Sequence, residues 1–213
     1  MRAREFGTLA LVLLFLGLAG CVSLKRTPEA RFFVLRSLAE PPQGAASPAE
    51  GGVVGLLRVV VPDYLERPQV VSWVAPGELK IDEFLRWAEP IDAGVSRTLA
   101  ENLQTLLPRT RIIRAPWPSS ARLRCRLRVE LQRFGPQTNG EVQLEGRFAL
   151  LPVASERPLV ARLVSLRRGP LPTAAGGLPD VGVEVEALSG LVADLARQIA
   201  AALQELPPPS EEG

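Results

Sequence analysis

The alternation over residues 122–131 constrains the fold of this chain more than any other feature. Leu123, Cys125, Leu127, Val129 and Leu131 fall on one side of an extended chain, and Arg122, Arg124, Arg126, Arg128 and Glu130 on the other, because successive strand side chains point to opposite faces. A strand of this kind belongs to a sheet with one buried face. Asn139-Gly140 follows as a hairpin signal, since both residues tolerate the positive φ of a tight two-residue turn. The return stretch repeats the pattern, with Val142, Leu144, Phe148 and Leu150 inward and Gln143, Glu145 and Arg147 outward. Residues 159–166 read as a third strand. Leu159, Ala161 and Leu163 lie on one side of it and Val160, Val164 and Leu166 on the other. Either this strand is covered twice or its outer face is a contact surface.

Two stretches carry helical periodicity instead. After Pro90, which suits a first turn because it needs no N–H, Ile91, Val95, Leu99, Leu103 and Leu106 recur at three- and four-residue spacing, and Pro108 ends the run. Near the C-terminus Leu188, Leu191, Val192, Leu195, Ile199 and Leu203 form a second stripe. Residues 31–35 and 111–114 read as short strands. Residues 53–61 are apolar without alternation, as a strand in the middle of a sheet would be. Residues 62–90 read as irregular, punctuated by Pro62, Pro68, Pro76 and Pro90, with room for a small hairpin about Pro76-Gly77. The fold class expected is α+β: a two-layer domain, with a mixed or antiparallel sheet and two amphipathic helices packed on one face. Its core is expected on Leu123, Leu127, Val129, Leu131, Val142, Leu144, Phe148, Leu99, Leu103, Leu191, Leu195 and Ile199.

The N-terminus directs the chain to a membrane. Arg2 and Arg4 precede an apolar run that ends in Leu18-Ala19-Gly20-Cys21. A basic flank, an apolar core and a small-residue cleavage site make a secretory signal peptide, and the Cys after Ala-Gly resembles a bacterial lipoprotein site. The expected organisation is a signal peptide over residues 1–20, a lipidated Cys21 and tether over 21–30, one domain over 31–206, and a disordered tail over 207–213. Several acyl chains anchor a protein stably at ~0.8 kcal/mol per buried CH₂.

Composition removes whole function classes. The chain has no His, and with it goes the commonest general base and metal ligand. Lipidation of Cys21 leaves Cys125 as the only thiol, so no intramolecular disulfide and no Cys/His zinc site is expected. No phosphate-cradling loop or nucleophile elbow occurs. The formal net charge is +2, and Arg2 and Arg4 against Glu5 supply part of it, so there is no basic field to hold nucleic acid. The expectation is a non-enzymatic protein with no cofactor and no metal.

Val61-Pro62-Asp63-Tyr64-Leu65, then Arg67-Pro68-Gln69-Val70-Val71, then Arg86-Trp87-Ala88-Glu89-Pro90 and Leu99-Ala100-Glu101-Asn102-Leu103, resemble the motifs of the ABC-type transport auxiliary lipoproteins of the paraquat-inducible protein C type. The order of elements agrees over most of residues 31–206. The resemblance implies a compact sheet with two helices on one face. It implies work beside an MCE-domain protein and an ABC-type permease and ATPase that move phospholipid or other hydrophobic molecules across the Gram-negative envelope. It also implies attachment on the periplasmic side of the outer membrane, consistent with Val22 where inner-membrane retention uses an Asp.

Candidate partner-binding residues are Tyr64, Trp73, Trp87 and Val164, since aromatic side chains are enriched at interface hot spots. Trp87 beside a helix start equally fits a buried anchor of the 62–90 segment. The ladder Arg122, Arg124, Arg126 and Arg128 fits a solvated face offset by Glu141 and Glu145 better than a headgroup site. Cys125 reads as a small buried hydrophobe. The function expected is an anchored subunit docking an MCE/ABC-type transport assembly, with homo-oligomerisation possible. The alternative is a lipoprotein that carries an acyl chain in a cavity of its own, which needs ~300–1,000 Å³.

Overall fold

The structure is a computed structural model and describes residues 28–38, 51–172 and 180–207. The signal peptide, Cys21, the loop over 40–48 and most of the C-terminal tail lie outside the described residues. Along the chain come β1 (Arg31–Phe33), β2 (Val53–Leu56), a 3-10 turn (Asp63–Leu65), β3 (Gln69–Ala75), β4 (Glu78–Trp87), α1 (Ile91–Leu106), β5 (Arg111–Arg114), β6 (Leu123–Pro136), β7 (Val142–Leu151), β8 (Val160–Arg168) and α2 (Val181–Gln204).

The strands form two sheets. The larger has the order β5-β2-β6-β7-β8 and the smaller β1-β4-β3. In the larger sheet β2 runs parallel to both β5 and β6, while β6, β7 and β8 form an antiparallel meander. Its inner face carries Leu127, Val129, Leu144, Phe148 and Leu150, each at most 1% exposed. Helix α2 lies against β6, β7 and β8, and α1 lies against α2 and β5. Both helical stripes are buried in full, from Ile91 to Leu106 and from Leu188 to Leu203. Asp180 caps α2 by accepting a hydrogen bond from the Gly182 N–H at 2.7 Å. The α+β class therefore holds, with both helices on the inner face of the larger sheet. Of the expected core only Leu123, at the start of β6, is partly open to solvent.

A bulge between Leu131 and Arg133 ends the regular part of β6. It works only because Gly146 lies opposite: a Cβ there would run into the carbonyl oxygen of Glu130. The turn to β7 places Gly140 at φ 76°, as the Asn-Gly signal requires.

The smaller sheet corrects the reading of residues 62–90 as irregular. The hairpin about Pro76-Gly77 extends into strands over 69–75 and 78–87, and β1 joins β4 in parallel. The sequence pattern conceals β4 because its alternation changes phase. Val70 pairs with Asp82, yet the preceding Gln69 pairs with Arg86. Three extra β4 residues, 83–85, stand in that step. An odd insertion reverses which side chains share a face. Lys80 and Asp82 therefore share a face with Leu85 rather than with Phe84 and Arg86, and a period-two reading fails.

Candidate functional site

The motif stretches over 61–65 and 86–90 do different jobs. Residues 57–60 run beside β6, with Leu57 N–H on Leu127 O at 2.9 Å and Val60 N–H on Val129 O at 3.0 Å. Val61 and Leu65 are buried, so the Asp63–Leu65 turn is pinned from both sides and lifts Tyr64 to the surface. Its ring meets Trp73 edge to face at a centroid distance of 5.9 Å, and its hydroxyl donates to Gln132 O at 3.2 Å. The Arg133 guanidinium lies 5.1 Å from the centre of the Trp73 ring, and Arg133 Nε is 3.5 Å from Glu145. Partial burial pushes the Tyr64 hydroxyl pKa up, while the Arg133 charge pulls it back. The result is a half-exposed aromatic pair with a cation stacked on it, chemistry suited to recognition.

The second motif is a splice. Trp87 is 8% exposed, its N–H donates to Pro68 O at 2.7 Å, and the Ala88 N–H donates to Phe33 O at 2.9 Å. Glu89 takes Arg97 at 2.7 Å, and Arg97 also reaches Leu35 O at 2.9 Å and Glu101 at 3.2 Å. Asn102 accepts the Leu38 N–H at 2.7 Å. These bonds tie the smaller sheet and the segment after β1 to α1.

The structure thus brings Tyr64 and Trp73 together and leaves the other two candidates apart from them. Trp87 is buried at the end of β4. Val164 is 5% exposed, facing inward beneath α2, and its neighbour Leu163 is the outward residue, 83% exposed. Of β8's two faces the one with Val164 is covered, and Leu163 stands on the open one. Cys125 is fully buried, and burial pushes its thiol up to about 11. That is the chemistry of a packing residue.

The Arg ladder is offset by Glu156 and not by the expected Glu141 and Glu145. Arg126 and Arg128 both reach Glu156, at 3.0 and 2.7 Å, and Arg126 also donates to Pro152 O and Ser155 O. They strap residues 152–156 over the outer face of β6. Arg124 donates to Leu206 O and Pro207 O instead. Glu145 is engaged with Arg133 and Arg167, and Glu141 with Asn139. Among the described residues no three His, Cys, Asp or Glu side chains cluster as metal ligands would.

A groove of about 560 Å³ opens between the smaller sheet, the β6–β7 turn and the start of α2. Val70, Val74, Trp73, Leu85, Leu171 and Val181 give it apolar walls, and Lys80, Asp82 and Glu184 add charge. Glu184 is half-buried there. Desolvation and the neighbouring Asp180 carboxylate raise its pKa to about 7, and the Lys80 ammonium offsets only part of this. Arg31, at the head of β1, pairs with Leu85 on one side and lies 3.5 Å from Asp180 on the other. The described N-terminal segment therefore leaves the domain at the groove. Sequence reasoning found neither the groove nor Arg133, Lys80 and Glu184. The only signal for Glu184 is its place on the stripe side of the first turn of α2, next to Val185.

No curated protein matches the chain. Among solved structures, that of an uncharacterized protein matches with a TM-score of 0.66 and 21% identity, over 83% of this chain and 99% of the other. Protein XCC0632 from Xanthomonas campestris matches with a TM-score of 0.66 and 15% identity, over 80% of this chain and 93% of its own. Both likenesses concern the fold. A family model matches residues 33–200, from the end of β1 to the penultimate turn of α2, and by that match the chain belongs to the ABC-type transport auxiliary lipoprotein components.

Proposed function

We propose that this protein is a non-catalytic subunit, anchored through lipid on Cys21, of an MCE/ABC-type system that moves phospholipid or another hydrophobic molecule between the two membranes of a Gram-negative envelope. It sits on the periplasmic face of the outer membrane. The observation that carries this reading is the order of parts: a lipidation motif at Cys21, then, ten residues on, the first strand of a domain that matches a transport auxiliary family. Ten residues reach ~33–36 Å when extended, so the domain works close to its membrane. The partner surface is the Tyr64–Trp73–Arg133 cluster with the outer side of the smaller sheet, where Phe32 is 63% and Phe84 36% exposed. A docked subunit needs roughly 800 Å² of contact per partner.

Mass spectrometry of the mature N-terminus, together with photo-crosslinkers at Trp73, Leu163 and Arg124 in intact cells, tests it. The expected result is a diacylglyceryl-modified Cys21 and capture of an MCE-domain protein at Trp73. An unmodified Cys21 overturns the anchor. Capture at Arg124 alone makes the basic face the docking surface. A second reading, a lipoprotein that itself holds an acyl chain, is favoured by one observation: the groove beside Trp73 has the volume of a small-molecule site.

A further inference from the structure

The groove beside β3 joins apolar walls to a small set of charges. Val70, Val74, Leu85 and Val181 can take a hydrocarbon chain, and each methylene they remove from water contributes ~0.8 kcal/mol. Lys80 stands among Asp82 and Glu184. One ammonium with two carboxylates beside it is a poor match for a purely anionic head. It complements a zwitterion, whose phosphate takes Lys80 and whose amine takes the acids. Asp180, the remaining charge near Glu184, already faces Arg31 at 3.5 Å. The groove also lies where β1 begins, so the chain that leads back to Cys21 starts at its rim.

We propose that this groove binds one acyl chain of an aminophospholipid drawn from the membrane, with the phosphate on Lys80 and the ammonium on Asp82 and Glu184. The inference rests on the membrane-anchored reading for its supply of lipid, while the chemistry of the groove is independent of the transport partner.

Trp73 lines the groove and serves as the reporter. The full mature chain is titrated with phosphatidylethanolamine carrying a dibrominated acyl chain, and in parallel with the phosphatidylglycerol and phosphatidylcholine of the same chains. Tryptophan quenching is read in the parent and in Val74→Arg, Lys80→Glu and Glu184→Lys. Val74 is 44% exposed, so its replacement leaves the fold in place, as an unchanged melting curve verifies. Leu163→Arg, on β8 and outside the lining of the groove, is the control. Saturable quenching is expected with phosphatidylethanolamine, abolished by Val74→Arg and unaffected by Leu163→Arg. Glu184→Lys should weaken it about tenfold, the factor that ~1.4 kcal/mol of lost charge-assisted bonding gives. Equal quenching by all three lipids, or quenching that survives Val74→Arg, overturns the proposal, as does a groove occupied only by a segment of a partner protein. Lipid capture without a co-purifying MCE-domain protein sinks the transport reading and leaves this one standing. Co-purification without capture does the reverse.

Discussion

The two sheets solve opposite problems. The larger buries one face under two helices, and its inner side chains from β6, β7 and α2 are closed to solvent. The smaller has Val70, Val71 and Trp87 buried, yet leaves Phe32, Val74, Ile81 and Phe84 at 36–63% exposure. Leu163 apart, the larger sheet keeps no large apolar side chain exposed, whereas the smaller keeps several. A region with fewer buried contacts can change without unfolding the whole, which is where binding surfaces are found.

The sharpest way to break this contrast is a truncation series. Leu127→Ala or Leu195→Ala should cost ~2–5 kcal/mol in denaturant titration, whereas Phe84→Ala and Ile81→Ala should stay within ~0.5 kcal/mol. A loss near 2 kcal/mol at Phe84 would make the smaller sheet a second core. Glycines give a finer test. Gly146→Ala forces a methyl group against the Glu130 carbonyl and should cost ~1–3 kcal/mol through overpacking. Gly77→Ala meets no atom within 4 Å but must hold φ 79°, and should cost ~1–2 kcal/mol through backbone conformation alone. Gly77→Asn recovers part of the second loss, because Asn tolerates that φ, and none of the first.

The smallest expected effect is in pH dependence, and it has opposite signs in the two regions. Glu184 by the groove has a raised pKa of about 7. Its folded form binds a proton more readily than the unfolded chain, so stability falls as pH rises from the ordinary carboxylate range through 7. Glu184→Gln should remove that slope, with the variant gaining on the parent in melting temperature between pH 5 and pH 8. Glu156, in the β7–β8 connection over the larger sheet, is held low by its hydrogen bonds from Arg128 and Arg126. Its contribution is present above the unfolded carboxylate pKa and is lost as pH falls through the folded one, so Glu156→Gln should matter at neutral pH and not in acid. The same slope for both variants would mean that the two carboxylates sit in like environments.

The larger sheet was legible because β6 ahead of its bulge, and β7, keep a regular alternation. Leu127, Val129, Leu144 and Phe148 alternate without interruption, and Leu188 to Leu203 keep one helical stripe. The smaller sheet was not, because residues 83–85 shift the phase of β4 and proline punctuation around it imitates a loop. Tyr64 and Trp73 were found by residue type, and their contact required the fold. Val164 was chosen from a strand that is apolar on both sides, where sequence cannot tell the covered face from the open one; α2 covers the Val164 side. Arg133 and Glu156 were missed because their partners come from elsewhere in the chain.

The bonds that hold the segment after β1 also decide where a pull would be felt. Phe33 is joined to Ala88, Leu35 to Arg97, Arg36 to Ser189 on α2 at 3.0 Å and Leu38 to Asn102 on α1. Tension applied ahead of Arg31 is therefore shared between β4 and both helices instead of peeling a single strand. The attachment point behaves as a rivet through the domain. A pull on the N-terminus enters the domain at Arg31, between Leu85 of β4 and Asp180 at the start of α2.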